Sequence, residues 1–180
     1  MRSLALLLVL AGCGGACPPA PSAPAVVTAA PPRRPAPSPD PPPGSIVMQP
    51  MGVRPSGEGY VLVLADQSRQ RMLPIVIGGT EAMTIELRLA GEQFERPLTH
   101  DLLDAMLARL GAEVVWVHID KVRGGVFVGS VHVWDGRQLL RFDARTSDAV
   151  AIALGHDAPI FVAPSVLDEQ AVEAGGVEDE

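Results

Sequence analysis

The sequence predicts an α+β fold: a single domain built on a mixed, mostly antiparallel β-sheet with about three short helices. Three observations carry that expectation. Short apolar stretches of strand length dominate residues 45–167. Helical periodicity appears at irregular places, not in the strict strand–helix alternation of a doubly wound parallel sheet. Short polar turns such as Asp135-Gly136 join neighbouring strand segments, as antiparallel hairpins require.

Ser45–Val53 alternates loosely and contains Pro50, so it reads as an edge strand. Gly59–Ala65 (GYVLVLA) and Arg71–Ile77 (RMLPIVI), separated by polar DQSRQ, form a hairpin. A first helix spans about Thr80–Ala90, with Thr80 as N-cap, Glu81 in its first turn and Gly91 as its stop. Its Ala82, Ile85 and Leu89 share one face. In LTHDLLDAMLARLG, Thr99 caps a second helix whose Leu102, Leu103, Met106, Leu107 and Leu110 keep a single face, and Gly111 ends it. Strands follow at Glu113–Ile119, Gly125–Trp134 and Arg137–Phe142, then a third helix over Ser147–Leu154. PIFVA makes a last short strand, and PSVLDE opens another helical turn.

The N-terminus reads MRSLALLLVLAGC: one arginine, an apolar stretch too short for a permanent span, then small residues before Cys13. Residues 1–12 are expected to be a signal peptide. Leu10-Ala11-Gly12-Cys13 resembles a bacterial lipobox, which implies diacylation of Cys13. Gly14 carries no retention-type Asp, so the expected location is the cell envelope, on the periplasmic side of the outer membrane. Residues 13–44 form the lipidated cysteine and a linker holding twelve of the eighteen prolines. Extended as polyproline II at roughly 3.1 Å per residue, it reaches on the order of 80 Å. Cys17 is then left without a second free thiol, which excludes an intramolecular disulfide and thiolate zinc sites.

Residues 45–167 make the folded domain, and 168–180 an acidic tail expected to be frayed. From Ser45 onward eleven Lys and Arg face twenty Asp and Glu, six of those acids in the tail. Such a body does not advertise the basic surface usual in nucleic-acid binders. Trp116, Trp134 and Phe127 lack interleaved basic residues, so a base-stacking platform is poorly supported. His118 and His132 have no matched partners at metal-ligand spacing and read as packing residues.

Two clusters carry chemistry. His100-Asp101 lies in the first turn of the second helix, where the acid suits the helix dipole and the imidazole could act as a general base. Asp143, Arg145, Ser147 and Asp148 surround the start of the third helix. Asp143 and Arg145, two apart at a strand end, are expected on one side of the sheet. Ser147 or Thr146 caps the helix, Asp148 sits in its first turn, and Arg145 offers a bidentate clamp for an anion at the helix N-terminus. The carboxylates could instead hold a divalent ion such as Mg2+ through oxygen. A plain helix cap with an Arg145 ion pair explains the same residues. Ala149, Ala151 and Ala153 let the helix approach its neighbours closely.

LPIVIG with Glu81-Ala82, then RPLTHDLL, a G-x-F hairpin at Gly125–Phe127, DARTSDAVAIAL and APIFVA occur in that order. Together they resemble the bifunctional nuclease domain, a family named for degrading both DNA and RNA. The resemblance implies a nuclease that hydrolyses phosphodiester bonds, with nucleic acid as substrate. On it we place His100, Asp101, Arg145, Ser147 and Asp148 as catalytic residues, and Asp143, Asp148 and Glu81 as ligands of a divalent metal. Cys13 remains the lipid anchor to the membrane, and a homo-oligomer is compatible with this reading. The family pattern has Pro where this chain has Thr146, and Arg where it has Gly155. The alternative is a non-catalytic envelope module that binds a small anion or a protein partner at the same helix start.

Overall fold

The computed structural model describes residues 37, 40–57 and 59–173. The expected signal peptide, Cys13, Cys17 and most of the linker lie outside them, as do residues 174–180 of the tail. The described elements are β1 (Ile46–Ser56), β2 (Gly59–Asp66), β3 (Arg71–Ile77), α1 (Gly79–Ala90), α2 (Thr99–Leu110), β4 (Glu113–Arg123), β5 (Val126–Trp134), β6 (Leu139–Arg145), α3 (Thr146–Gly155), β7 (Ile160–Val162), α4 (Pro164–Gln170) and β8 (Val172–Glu173). The eight strands form one sheet in the order β6-β5-β4-β7-β1-β2-β3-β8. Among the described residues every neighbouring pair is antiparallel except β4 with β7. The α+β class and the mixed, mostly antiparallel sheet are as expected; the helices number four.

Alternation on the strands builds the core. Leu62, Leu64, Leu73, Ile75, Val117, Ile119, Val131 and Val133 are buried together with Ile85, Val150 and Val162. α3 lies at the centre of this layer, packed on α1, α2, β4, β5 and β6. A helix buried nearly all round must be apolar nearly all round. Here Ala149, Ala151 and Ala153 are at most 1% exposed, small enough for that fit.

Several expectations change. β1 is not an edge strand: it sits between β7 and β2. Pro50 is tolerated because β7 pairs only with Ile46–Met48, leaving β2 alone beside it, and the register slips between Pro50 and Gly52. The N-caps are Gly78, Leu98 and Arg145, not Thr80, Thr99 and Ser147. At α2 the Asp101 carboxylate accepts from the Leu98 N–H at 2.8 Å, which does the work expected of Thr99. Gly91 and Gly111 do end their helices, at φ 69° and 64°, the left-handed stop. α2 has no buried residue among those described, and Leu102, Met106 and Leu110 are more than half exposed. Past Leu167, the segment expected to fray finishes α4 and adds β8 against β3.

Candidate active site

β6 passes directly into α3, so Arg145 is both the end of a strand and the N-cap of the helix. Its Nε donates to Asp148 Oδ2 at 2.6 Å and its Nη2 to Asp148 Oδ1 at 3.1 Å, a bidentate pair. The same Nη2 lies 2.7 Å from Glu81 Oε1 in the first turn of α1. His100, in the first turn of α2, places Nε2 3.2 Å from Asp148 Oδ1. The ends of four elements thus converge on a cavity of about 410 Å³, walled by Leu98, Leu103 and Ile152.

Exposure orders these groups. The Glu81 and His100 side chains are 14% and 13% exposed, whereas Arg145 is 68% exposed. The guanidinium is therefore what an arriving anion meets first, with the carboxylates and imidazole beneath it. The hydrogen bonds and charge of Asp148, with Glu81 adding to them, raise the Arg145 pKa above its ordinary value. It stays protonated at any working pH.

Glu81, His100, Arg145 and Asp148 are brought together; three other expected residues are not. Asp143 pairs with Ser130, in the row that also carries His118. His118 faces Ser45 and Asp120 on the sheet surface away from the helices, so Asp143 is on the wrong side. Arg145 escapes that parity only because the chain turns into α3 at its position. Ser147 is 8% exposed and does not line the cavity. On a helix, Asp148 and Ile152 share the cavity stripe, and Ser147 is turned about 100° from it. Asp101 accepts from Leu98 N–H and from Arg88, and faces a neighbouring pocket with Asp104 and Gly155. Its pKa is lowered first by the Leu98 bond, then by Arg88, as befits a structural acid.

The expected metal ligands Asp143, Asp148 and Glu81 therefore do not assemble. The Arg145 guanidinium stands where an ion bridging Glu81 and Asp148 would have to sit. Among the described residues no group of three His, Cys, Asp or Glu is arranged for a metal. The donor set does not fit the expected divalent ion.

Arg88 was not legible as a site residue. Its side chain is 9% exposed, and it donates to Ala151 O at 2.5 Å, Asp104 at 2.5 Å and Asp101 at 3.0 Å. His156 Nε2 completes the group, 3.0 Å from Asp104 Oδ1. The signal was Gly155: a Cβ there would collide with Arg88 Nη1 and come within 2.7 Å of Asp104 Oδ2. The guanidinium from α1 lies against the end of α3 at Gly155.

The bifunctional nuclease domain model matches residues 62–175. Two uncharacterized proteins from two strains of Mycobacterium tuberculosis are each 40% identical over 107 residues. Each match covers 59% of this chain and 63% of the relative, so the chain spans less than two thirds of these relatives' length. The family match begins inside β2, although β1 is hydrogen-bonded in the middle of the same sheet.

Proposed function

The chain belongs to the bifunctional nuclease domain family, and on that premise we propose that it hydrolyses phosphodiester bonds of DNA or RNA in the cavity between α1, α2 and α3. The observation that carries this reading is the meeting of Arg145 with the His100–Asp148 pair and Glu81 in one concave site. Two carboxylates beside one guanidinium repel a phosphate unless His100 is protonated. On this reading His100 serves as the general acid, paired with Asp148. Glu81 takes the proton of the attacking water. The water oxygen bonds to phosphorus as the bond from phosphorus to the leaving sugar oxygen breaks, and His100 protonates that oxygen. Arg145 faces the charge that builds on the phosphoryl oxygens.

Single-stranded RNA and DNA oligonucleotides test this. His100→Ala and Arg145→Ala each lower cleavage by about 100-fold or more, the usual worth of one positioned acid or one charge donor. Cleavage persists in chelator. If purified protein leaves both substrates intact, the reading fails.

The second reading is a module that binds a small anion without cleaving anything. The observation favouring it is that Arg145 is already held by three carboxylate oxygens, as in a structural ion pair. Inorganic phosphate then raises the melting temperature by mass action while no product forms.

The envelope location is a further part of the proposal, resting on the sequence before Cys13. A lipidated protein partitions with membranes, and Cys13→Ala moves it to the soluble fraction.

A further inference from the structure

The sheet surface turned away from α1 and α3 carries polar groups that phosphodiester cleavage does not use. Strand pairing sets Val47, Phe161, His118, Ser130 and Asp143 in one row across β1, β7, β4, β5 and β6. Paired residues share a face of the sheet. In the next row Trp116 pairs with His132 and stacks on it, ring centroids 4.5 Å apart and planes 16° from parallel.

Within this surface His118 Nδ1 lies 2.9 Å from Asp120 Oδ1, and His118 Nε2 lies 2.9 Å from Ser45 Oγ. Arg141 donates to the other Asp120 oxygen at 3.0 Å. The register between β4 and β5 slips between Ile119 and Lys121, which makes Asp120 the extra residue of a bulge. Bulges of this kind re-aim side chains. Burial is the largest influence on the Asp120 carboxyl and acts to raise its pKa. Hydrogen bonds from His118 and Ser130, with the charge of Arg141, outweigh burial and hold it below the ordinary carboxylate value.

An ionised Asp120 that accepts from Nδ1–H fixes the imidazole tautomer. The Nε2 lone pair then faces the Ser45 O–H. Serine, imidazole and carboxylate stand in the order that nucleophilic catalysis needs. A hydrogen bond that merely anchors the start of β1 accounts for Ser45 and His118, but not for the carboxylate behind the ring or the guanidinium behind the carboxylate. The Trp116 indole N–H is buried without a hydrogen-bond partner among the described residues, two positions before His118 on the same face.

We propose that Ser45, His118 and Asp120 form a second reaction site, for acyl transfer from carboxylic esters with a small apolar acyl group. The acyl group would lie along Val47, which is 45% exposed, and Phe161. Ser45 Oγ bonds to the ester carbonyl carbon as its proton passes to His118 Nε2, and the carbonyl oxygen takes the electron pair. Collapse of that adduct breaks the bond to the alcohol, which leaves with the proton from Nε2. Water then attacks the acylated Ser45 by the same sequence and releases the carboxylic acid. Asp120 keeps the ring oriented throughout.

The test uses the full chain with an alkyl phosphonofluoridate, which bonds through phosphorus to an activated serine and releases fluoride. Peptide mass spectrometry is expected to place one phosphonyl group on Ser45. Ser45→Ala removes the label, and Asp120→Asn, which keeps the shape of the side chain, slows labelling by about 100-fold. Hydrolysis of 4-nitrophenyl acetate is expected to fall in the same order. An unlabelled wild-type protein overturns the proposal, whatever the variants do. So does labelling of Ser45 at an unchanged rate in an Asp120→Asn protein that melts like wild type.

Discussion

Gly155→Ala tests the packing beside the candidate active site, because its sign depends on another residue. A Cβ at position 155 would overlap Arg88 Nη1 and approach Asp104 Oδ2 to 2.7 Å. Arg88 cannot simply swing aside: it is 9% exposed and bonded to Ala151 O, Asp101 and Asp104. Yielding forfeits at least one charge-assisted hydrogen bond, about 1.5–3 kcal/mol. Opposing this, alanine is preferred over glycine in a helix by about 1 kcal/mol. The net expectation is a loss of about 0.5–2 kcal/mol. With Arg88→Ala already in place the collision with the guanidinium is gone, and Asp104, no longer held by it, is free to turn from its 2.7 Å approach. The same substitution should then stabilise by up to about 1 kcal/mol. Arg88→Ala alone costs roughly 2–3 kcal/mol, because Ala151 O and one oxygen each of Asp101 and Asp104 lose their guanidinium donor while Leu98 N–H and His156 still serve the two carboxylates. Urea unfolding of the four proteins at neutral pH reads the coupling directly. Effects that add to within about 0.5 kcal/mol, with one sign in both backgrounds, would refute the claim that Arg88 fills the space beside Gly155.

Thr146→Pro should raise stability by about 1 kcal/mol, seen in calorimetry as roughly 4 °C. Position 146 is the first of α3, Arg145 before it has ψ 144°, and Thr146 Oγ1 is buried without a partner among the described residues. Asp101 and Asp120 both sit below their ordinary value of 3.8 in the folded protein. Their stabilisation is complete above that pH and is lost as pH falls through the folded values. Urea midpoints should drop below about pH 4, less steeply in Asp101→Asn. Ala151→Leu should overpack α3 by about 1–3 kcal/mol, measured the same way.

Hydrophobic alternation and turn residues made most of the sheet legible, because each strand announces itself locally. The misplacement of β1 had a physical cause: Pro50 marks a position with one neighbour, and neither the three-residue β7 nor the register slip can be read from the proline. The α2 leucines are periodic, yet helical spacing says nothing about whether another element covers the stripe. Glu81, His100, Arg145 and Asp148 were visible because each lies at a helix start or strand end, where short polar side chains need a reason. Asp143 and Ser147 look equivalent to their neighbours until strand parity and helical rotation sort them. Arg88 and the Ser45–His118–Asp120 chain depend on contacts across many residues, which no local spacing encodes.

The central claim is tested most directly by one cleavage assay on a labelled single-stranded RNA and DNA. Wild type, His100→Ala and Arg145→Ala are compared at equal folded fraction, with and without chelator. The account predicts cleavage by wild type that chelator leaves standing and that each substitution lowers by about 100-fold or more. Cleavage that survives both substitutions, or that chelator abolishes, would contradict it.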